Sequence, residues 1–227
     1  MRRVLVLGGS ALTEPAAHAL IQAGHEVRVY WSRGPHGSEL STVSNLRAAL
    51  AEADAVVDTT HPFDQTLRGI AVAMAPQFPR ARVGRAPWHA DGADAWTQVD
   101  TVEQAVAALP SGACVFAASG RDSAEVLTHH DGPVYLRQLH RHDDPAPEGC
   151  TYVFGDGPYD AAGEEALFTE LEIDVVLARN TGGTSGYPKV AAARTLGLPM
   201  VLIAQPKSGV DHAFTEIDDL VSWVAAL

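Results

Sequence analysis

The segment Asp58-Thr59-Thr60-His61-Pro62-Phe63 gathers a carboxylate, two hydroxyls, an imidazole and an aromatic ring. Thr60 and His61 are of the types that meet a cofactor ribose, a nicotinamide or a substrate. Pro62 fixes its own φ and drives His61 toward an extended conformation, which gives the loop a defined shape. A lone histidine there reads equally as a structural residue. Gly8-Gly9-Ser10 lies between Val4-Leu5-Val6-Leu7 and Thr13-Glu14-Pro15. Glycine lets backbone approach a phosphate, and a helix N-terminus offers N–H groups and partial positive charge. The spacing is not G-x-G-x-x-G, so a tight strand–helix turn without ligand is the competing reading. Tyr30-Trp31-Ser32-Arg33 stands where an acid would bind the ribose 2′-OH of NAD. The hydroxyl of Ser32 and the guanidinium of Arg33 suit a 2′-phosphate, which favours NADPH, unless Arg33 is a solvated loop charge.

A second group of residues points to anion binding. Gly84-Arg85-Ala86-Pro87-Trp88 sets a cation beside a large aromatic on a rigid segment, suited to a planar carboxylated ligand or to anchoring a core. Ser119-Gly120-Arg121 and Arg179-Asn180-Thr181-Gly182-Gly183 each follow an aliphatic run, and Lys189 opens a helix. Tyr135 and Arg137 stand two apart and share a strand face. Any one of Arg85, Arg121, Arg137, Arg179 and Lys189 alone reads as a surface charge; their joint placement at strand ends implies an anion-binding cleft. That placement matters because the chain carries 16 Lys+Arg against 28 Asp+Glu, a net charge of −12. Such an excess argues against nucleic acid or an anionic membrane as partner, though not against a local basic site. Every basic residue except Lys189 and Lys207 is Arg, which suits carboxylate and phosphate recognition but follows equally from codon usage.

Other chemistries find little support. Cys114 and Cys150 are too few for a disulfide framework and read as buried free thiols. No Cys/His spacing suggests zinc, so no metal is expected; His129-His130 and His140-x-His142 read as solvated loop. Neither a Walker motif nor a G-x-S-x-G elbow occurs. The apolar run after Met1-Arg2-Arg3 is too short for a signal peptide and nothing reaches a membrane span, so a cytoplasmic location is expected.

These residues need elements to hold them. Aliphatic runs at Val4 to Leu7, His25 to Trp31, Ala55 to Asp58, Ala113 to Ala118, Val134 to Arg137, Asp174 to Ala178 and Met200 to Ala204 read as strands. Helical stretches separate them: about Glu14 to Gly24, Ser44 to Glu52, a region broken by Pro76 and Pro79, Ala162 to Leu171, Lys189 to Leu196 and Ile217 to Ala226. The alternation predicts an α/β protein with two Rossmann-like lobes, mainly parallel sheets and a ligand cleft between them. Pro110-Ser111-Gly112 is the expected boundary, giving a cofactor-binding domain at 1–111 and a substrate-binding domain at 112–227.

Together the motifs resemble the precorrin-6A reductase family of cobalamin biosynthesis, with its cobalt-precorrin-6A relatives. The resemblance runs through Leu7-Gly8-Gly9, Asp58 to Phe63, Arg85-Ala86-Pro87-Trp88 and Tyr135-Leu136-Arg137. It continues with Gly157-Pro158-Tyr159 and Glu164-Glu165, Arg179 to Gly183, Lys189 to Arg194, Gly197-Leu198-Pro199 and Gln205-Pro206. Arg179 and Thr181 stand where the family more often has Lys and Ser, and Ser10 to Glu14 is longer than the usual turn. The resemblance implies NADPH-dependent reduction of a carbon–carbon double bond in the polycarboxylate tetrapyrrole precorrin-6A, giving precorrin-6B. It implies cofactor binding at Gly8, Gly9, Ser10, Ser32, Arg33, Thr60 and His61. It implies substrate binding at Arg85, Arg121, Tyr135, Arg137, Asn180, Thr181, Gly182, Gly183 and Lys189. His61 or water would supply the proton, and transient contacts with neighbouring pathway enzymes are compatible with it. A cobalt-precorrin-6A reductase using NADH, another NAD(P)-dependent reductase or epimerase, and a non-catalytic tetrapyrrole or nucleotide binder remain the alternatives.

Overall fold

The computed structural model describes the chain except residues 32–44, 65, 68, 70–72, 74–77, 156, 208 and 211. Its contacts divide it into two units, Met1–Ala86 with Pro206–Leu227, and Pro87–Gln205. The division therefore falls elsewhere than 111/112. Pro110 to Gly112 is a turn inside the second unit, tied down by Asp131, which accepts from Ser111 Oγ at 2.5 Å and from the Gly112 N–H at 2.8 Å. The reason is strand pairing over long sequence separations, which no local break reveals.

The first unit holds a five-stranded sheet built from β1 (Arg3–Gly8), β2 (Glu26–Trp31), β3 (Ala55–Asp58), β4 (Arg80–Val83) and β11 (His212–Phe214). The order is β11-β4-β3-β1-β2 and every pairing is parallel. Alternate residues of β1 enter opposite layers, as the period of a strand requires. Val4 and Val6 pack on Ala16, Ala17 and Leu20 of helix α1 (Thr13–Gln22) and on Leu220 and Val224 of the C-terminal helix Ile217–Ala226. Leu5 and Leu7 pack on Leu46, Ala49 and Leu50 of helix α2 (Leu46–Glu52), which Asn45 caps by accepting from the Ala48 N–H. A strand buried on both faces has no room for polar alternation, hence the continuous aliphatic run.

The second unit holds a six-stranded sheet in the order β5-β10-β9-β6-β7-β8, again parallel throughout. Its strands are β5 (Trp96–Val99), β6 (Val115–Ala118), β7 (Val134–Gln138), β8 (Cys150–Phe154), β9 (Val175–Arg179) and β10 (Met200–Ile203). Phe116, Val176, Met200 and Leu202 pack with Phe168 of the helix Ala161–Glu170 and with Val190 and Ala193 of the helix Pro188–Leu196. The latter ends at Gly197 in the left-handed region, φ +66°, where a side chain would be strained. The expected α/β class with two mainly parallel sheets is thus the observed one. β4, β5, β8 and β11 were not among the strands the sequence pattern suggested. Two of them, β5 and β11, are edge strands whose residues are exposed or half-buried, so they lack the continuous aliphatic run of a central strand. Cys114 and Cys150 are free, and burial pushes both thiols above their ordinary range.

Candidate functional site

In the first sheet the chain builds from β1 to β2 and then returns to the other side of β1; in the second it builds from β6 through β7 to β8 and then returns to the other side of β6, ending next to the edge strand β5. β1 and β3 flank this reversal in the first unit, β6 and β9 in the second. Loops leaving the carboxyl ends of two such strands diverge to opposite faces, and ligands of open α/β sheets bind there. The loops expected to do chemistry follow these four strands.

At the first reversal the structure brings Gly8-Gly9-Ser10 together with Asp58-Thr59-Thr60. Ser10 Oγ donates to the Thr59 carbonyl at 2.6 Å, and the Thr59 hydroxyl donates to the Leu7 carbonyl at 2.8 Å. Leu12 holds the cap position of α1 without a side-chain hydrogen bond, and Thr13 is the first helical residue. Its buried Oγ1 accepts from the Gly9 N–H at 3.2 Å and the Ser10 N–H at 3.4 Å, and lies 2.9 Å from the Thr59 hydroxyl. Gly8 answers to packing: a Cβ there would stand 2.8 Å from the Trp31 ring and 2.9 Å from the Thr13 methyl.

A buried charge pair underlies the second half of this site. Arg82 Nη1 donates to Asp58 Oδ2 at 2.7 Å, with both side chains less than a tenth exposed. The other carboxylate oxygen accepts from the Thr60 N–H at 2.8 Å and hydroxyl at 2.6 Å, so Asp58 shapes the turn that presents His61. His61 is half-buried, and its Nδ1 accepts from the Phe63 N–H at 3.3 Å. A ring nitrogen that accepts carries no proton, so in the neutral ring the proton sits on Nε2. Ser32 and Arg33 lie outside the described residues. Arg85 follows β4 in the first unit and is half-buried.

The other candidate cations belong to the second unit. Gly120, at φ +89°, allows the Arg179 guanidinium to approach the backbone, because a Cβ there would lie 2.6 Å from Arg179 Nη1. Arg179 Nη2 donates to Asp122 at 2.7 Å, and exposed Arg121 pairs with Asp144. Asn180 is buried, with its amide committed to Trp88: Oδ1 accepts from the Trp88 N–H and Nδ2 donates to the Trp88 carbonyl, both at 2.8 Å. Trp88 Nε1 in turn donates to the Gly183 carbonyl at 2.8 Å, so Asn180 to Gly183 forms the seat of a buried tryptophan. Gly182 and Gly183 both take φ +68°, which this loop needs in order to fold back. The Thr181 N–H donates to the Arg179 carbonyl at 2.8 Å.

Tyr135 and Arg137 do share a face of β7. Tyr135 packs half-buried against the core, whereas Arg137 is neutralised by Glu164, a residue the spacing alone did not single out. Its Nη1 donates to Glu164 Oε1 at 3.0 Å and its Nη2 to Oε2 at 3.3 Å. The guanidinium lies 5.0 Å from the Phe116 ring centroid and 4.4 Å from that of Tyr159. Lys189 Nζ donates to the Gly186 carbonyl at 2.7 Å and sits 5.5 Å from the Trp88 ring. Burial and the nearby Arg137 charge pull the ammonium down, Glu164 holds it up, and the result is about 8.

The remaining histidines correct an expectation. His130 is buried, with Nε2 2.7 Å from the Ala113 carbonyl, and His142 packs edge-on against Tyr152 and Phe154 at 4.9 and 5.2 Å. Only His129 and His140 of the four are exposed. Among the described residues no cluster of three His, Cys, Asp or Glu side chains suits a metal, and no helix is long and apolar enough to cross a membrane.

Two parallel, doubly wound units, each with polar loops at its reversal point, define a protein of the Rossmann-like class. The family model for precorrin-6x reductase CbiJ/CobK matches residues 3–225, and the chain belongs to that family. It is 32% identical to the precorrin-6A reductase of Rhodobacter capsulatus, covering 99% of this chain and 96% of that protein. It is also 32% identical to the precorrin-6A reductase of Mycobacterium tuberculosis, covering 100% and 99%. A solved CobK precorrin-6A reductase superposes with a TM-score of 0.86 at 30% identity, over 100% of this chain and 97% of that one.

Proposed function

We propose that this chain reduces a carbon–carbon double bond of precorrin-6A to give precorrin-6B, with NADPH bound by the first unit and the tetrapyrrole by the second. The observation that carries the reading is the contrast between the two reversal points. The first offers backbone amides and hydroxyls; the second offers guanidinium and ammonium groups. A dinucleotide pyrophosphate suits the former and a polycarboxylate the latter. NADPH supplies the hydride, and the neighbouring carbon takes a proton, so that NADP+ and the reduced ring are the products.

The first unit fits the cofactor. Helix α1 starts without a side-chain cap, and among the described residues the Gly9 and Ser10 amides donate over long bonds to Thr13 Oγ1, which a phosphate oxygen can replace. Gly9, Ser10 and the first turn of α1 would hold the pyrophosphate, with Gly8 keeping the turn close to Trp31. Ser32 and Arg33 would hold the 2′-phosphate, and Thr60 and His61 the nicotinamide end. As a proton donor His61 must be doubly protonated, which breaks its bond to the Phe63 N–H; water is the competing donor. Within the second unit Arg121, Tyr135, Thr181, Gly182, Gly183 and Lys189 would line the substrate, while Arg137 is already paired with Glu164 and Asn180 serves the site by fixing Trp88. The rate gain comes from holding donor and acceptor in register, since the hydride chemistry is the cofactor's.

The test mixes protein, NADPH and precorrin-6A and follows nicotinamide and chromophore absorbance together. Equal loss of both is expected, with NADPH preferred to NADH and the preference largely lost in Arg33→Ala. A chromophore bound but unreduced would make the protein a binder, and equal use of NADH would remove the 2′-phosphate role. Cobalt-precorrin-6A in a parallel arm decides whether the metal-free ring is the substrate.

A further inference from the structure

Three adjacent strands of the second sheet, β9, β6 and β7, each carry an arginine toward the carboxyl end. Arg179 closes β9, Arg121 follows β6 and Arg137 lies on β7. Each is paired with a carboxylate, and the pairs differ in burial. Arg137 and Glu164 are both less than a tenth exposed. Arg179 is 18% exposed against 73% for Asp122, and Arg121 is 52% exposed against 59% for Asp144. Withdrawing a buried carboxylate strands its cation away from water, so Glu164 is fixed. An exposed carboxylate leaves its guanidinium at little cost, because water solvates it nearly as well as the pair does. The Arg179 pair is also built into its loop. Arg179 Nη2 donates to Asp122 Oδ2 at 2.7 Å, and both groups press on bare backbone: a Cβ at Gly120 would stand 2.6 Å from Arg179 Nη1 and 2.7 Å from Asp122 Oδ1. Asp122 shares the short helical turn Arg121–Ser123 with Arg121, which pairs instead with Asp144, 23 residues further along the chain.

We propose that Asp122 and Asp144 stand in for carboxylates of the ligand: on binding, each leaves its arginine and a ligand carboxylate takes its place, while the Arg137–Glu164 pair stays intact. The proposal rests on the reading of the second unit as the tetrapyrrole site, and it adds Arg179 to the cations that meet the ligand. At each arginine one ion pair breaks and one forms, so the gain per carboxylate is small. The resident aspartate is also tethered, which gives it the advantage of a high effective concentration over any single free acid. A monocarboxylate therefore competes poorly. Arg179 rests against Gly120, the residue before Arg121, so a ligand large enough to carry several carboxylates meets both cations and adds the two gains. Asp122 and Asp144 thus act as specificity residues that keep small anions off a cationic site and admit a polycarboxylate.

Spectral titration of precorrin-6A against the protein without NADPH measures its Kd. Asp122→Asn and Asp144→Asn are each expected to tighten binding by about two- to fivefold, the scale of an exposed ion pair. Each should also steepen the salt dependence of binding, since an unpaired guanidinium then meets the ligand. Asp143→Asn removes the same charge from an exposed neighbour and is expected to leave the Kd unchanged. In an Arg121→Gln background the gain from Asp144→Asn is expected to vanish. Each aspartate decides its own arginine: an Asn variant that binds no tighter overturns the exchange there. A gain matched by Asp143→Asn, or one that survives Arg121→Gln, overturns it in favour of the mean charge of the chain. A parallel calorimetric arm titrates benzenehexacarboxylate, with the same gains expected. If precorrin-6A does not bind while benzenehexacarboxylate does, the proposed function fails and that arm decides the exchange; if neither binds, both fail.

Discussion

The two reversal points handle charge in opposite ways. In the first unit the buried guanidinium of Arg82 meets Asp58, and the turn above them is otherwise built of hydroxyls and amides. In the second, Arg137 meets Glu164 in the same manner, and the Lys189 ammonium, bonded to the Gly186 carbonyl, is pulled down to about 8 by burial. The two sheets share one plan, and the difference between their reversal points lies in a few side chains at strand ends.

The largest expected effects come from removing the anion beneath either guanidinium. Asp58→Ala and Glu164→Ala should each cost about 3–5 kcal/mol, the scale for breaking a buried ion pair from one side. Hydrogen exchange should show the loss confined to the unit that carries the substitution. A loss shared equally by both units would mean that their stabilities are not separable. Next comes Gly8→Ala, expected to cost about 1–3 kcal/mol by forcing Trp31 and Thr13 apart. Urea unfolding measures it. If stability holds while NADPH affinity collapses, Gly8 serves the cofactor and not the packing.

A third test addresses the contrast through pH. Lys189 is charged below about 8 and neutral above it, so affinity for the tetrapyrrole should fall as pH rises through that value. Well above the midpoint the charged fraction drops about tenfold per pH unit. KM for the tetrapyrrole should therefore climb while KM for NADPH stays level. Parallel changes in both constants would erase the distinction. The smallest effect is that of Arg121→Ala. This exposed residue pairs with Asp144 on the surface, so stability should not change, and a several-fold rise in KM for the tetrapyrrole with unchanged kcat would place it at the ligand. No change in either constant would leave it a surface charge.

Much of this was legible in the residues. The run Val4 to Leu7, the glycine turn after it and the stop at Gly197 are local signals, because strand burial, backbone freedom and helix termination act within a few residues. The loops after β1, β3, β6 and β9 were identifiable as strand-end loops for the same reason. The cations were harder to sort. Arg137 reads as a ligand-binding group on its strand, yet its partner Glu164 is 27 residues away. Asp58 and Arg82 are 24 residues apart. His130 and His142 read as solvated because their sequence neighbours are polar, although their rings pack against a carbonyl and an aromatic pair that other segments supply.

By itself the sequence determined the α/β alternation, the parallel sheets and the family, through motifs whose order along the chain is specific. Tertiary structure decided which edge strand completes which sheet, since β5 pairs with β10 and β11 with β4 across long separations. It also decided which cations are already neutralised and which keep a free charge. Hydrophobic period and turn chemistry are properties of adjacent residues, whereas strand pairing and ion pairing depend on where distant segments meet, and only the folded chain specifies that.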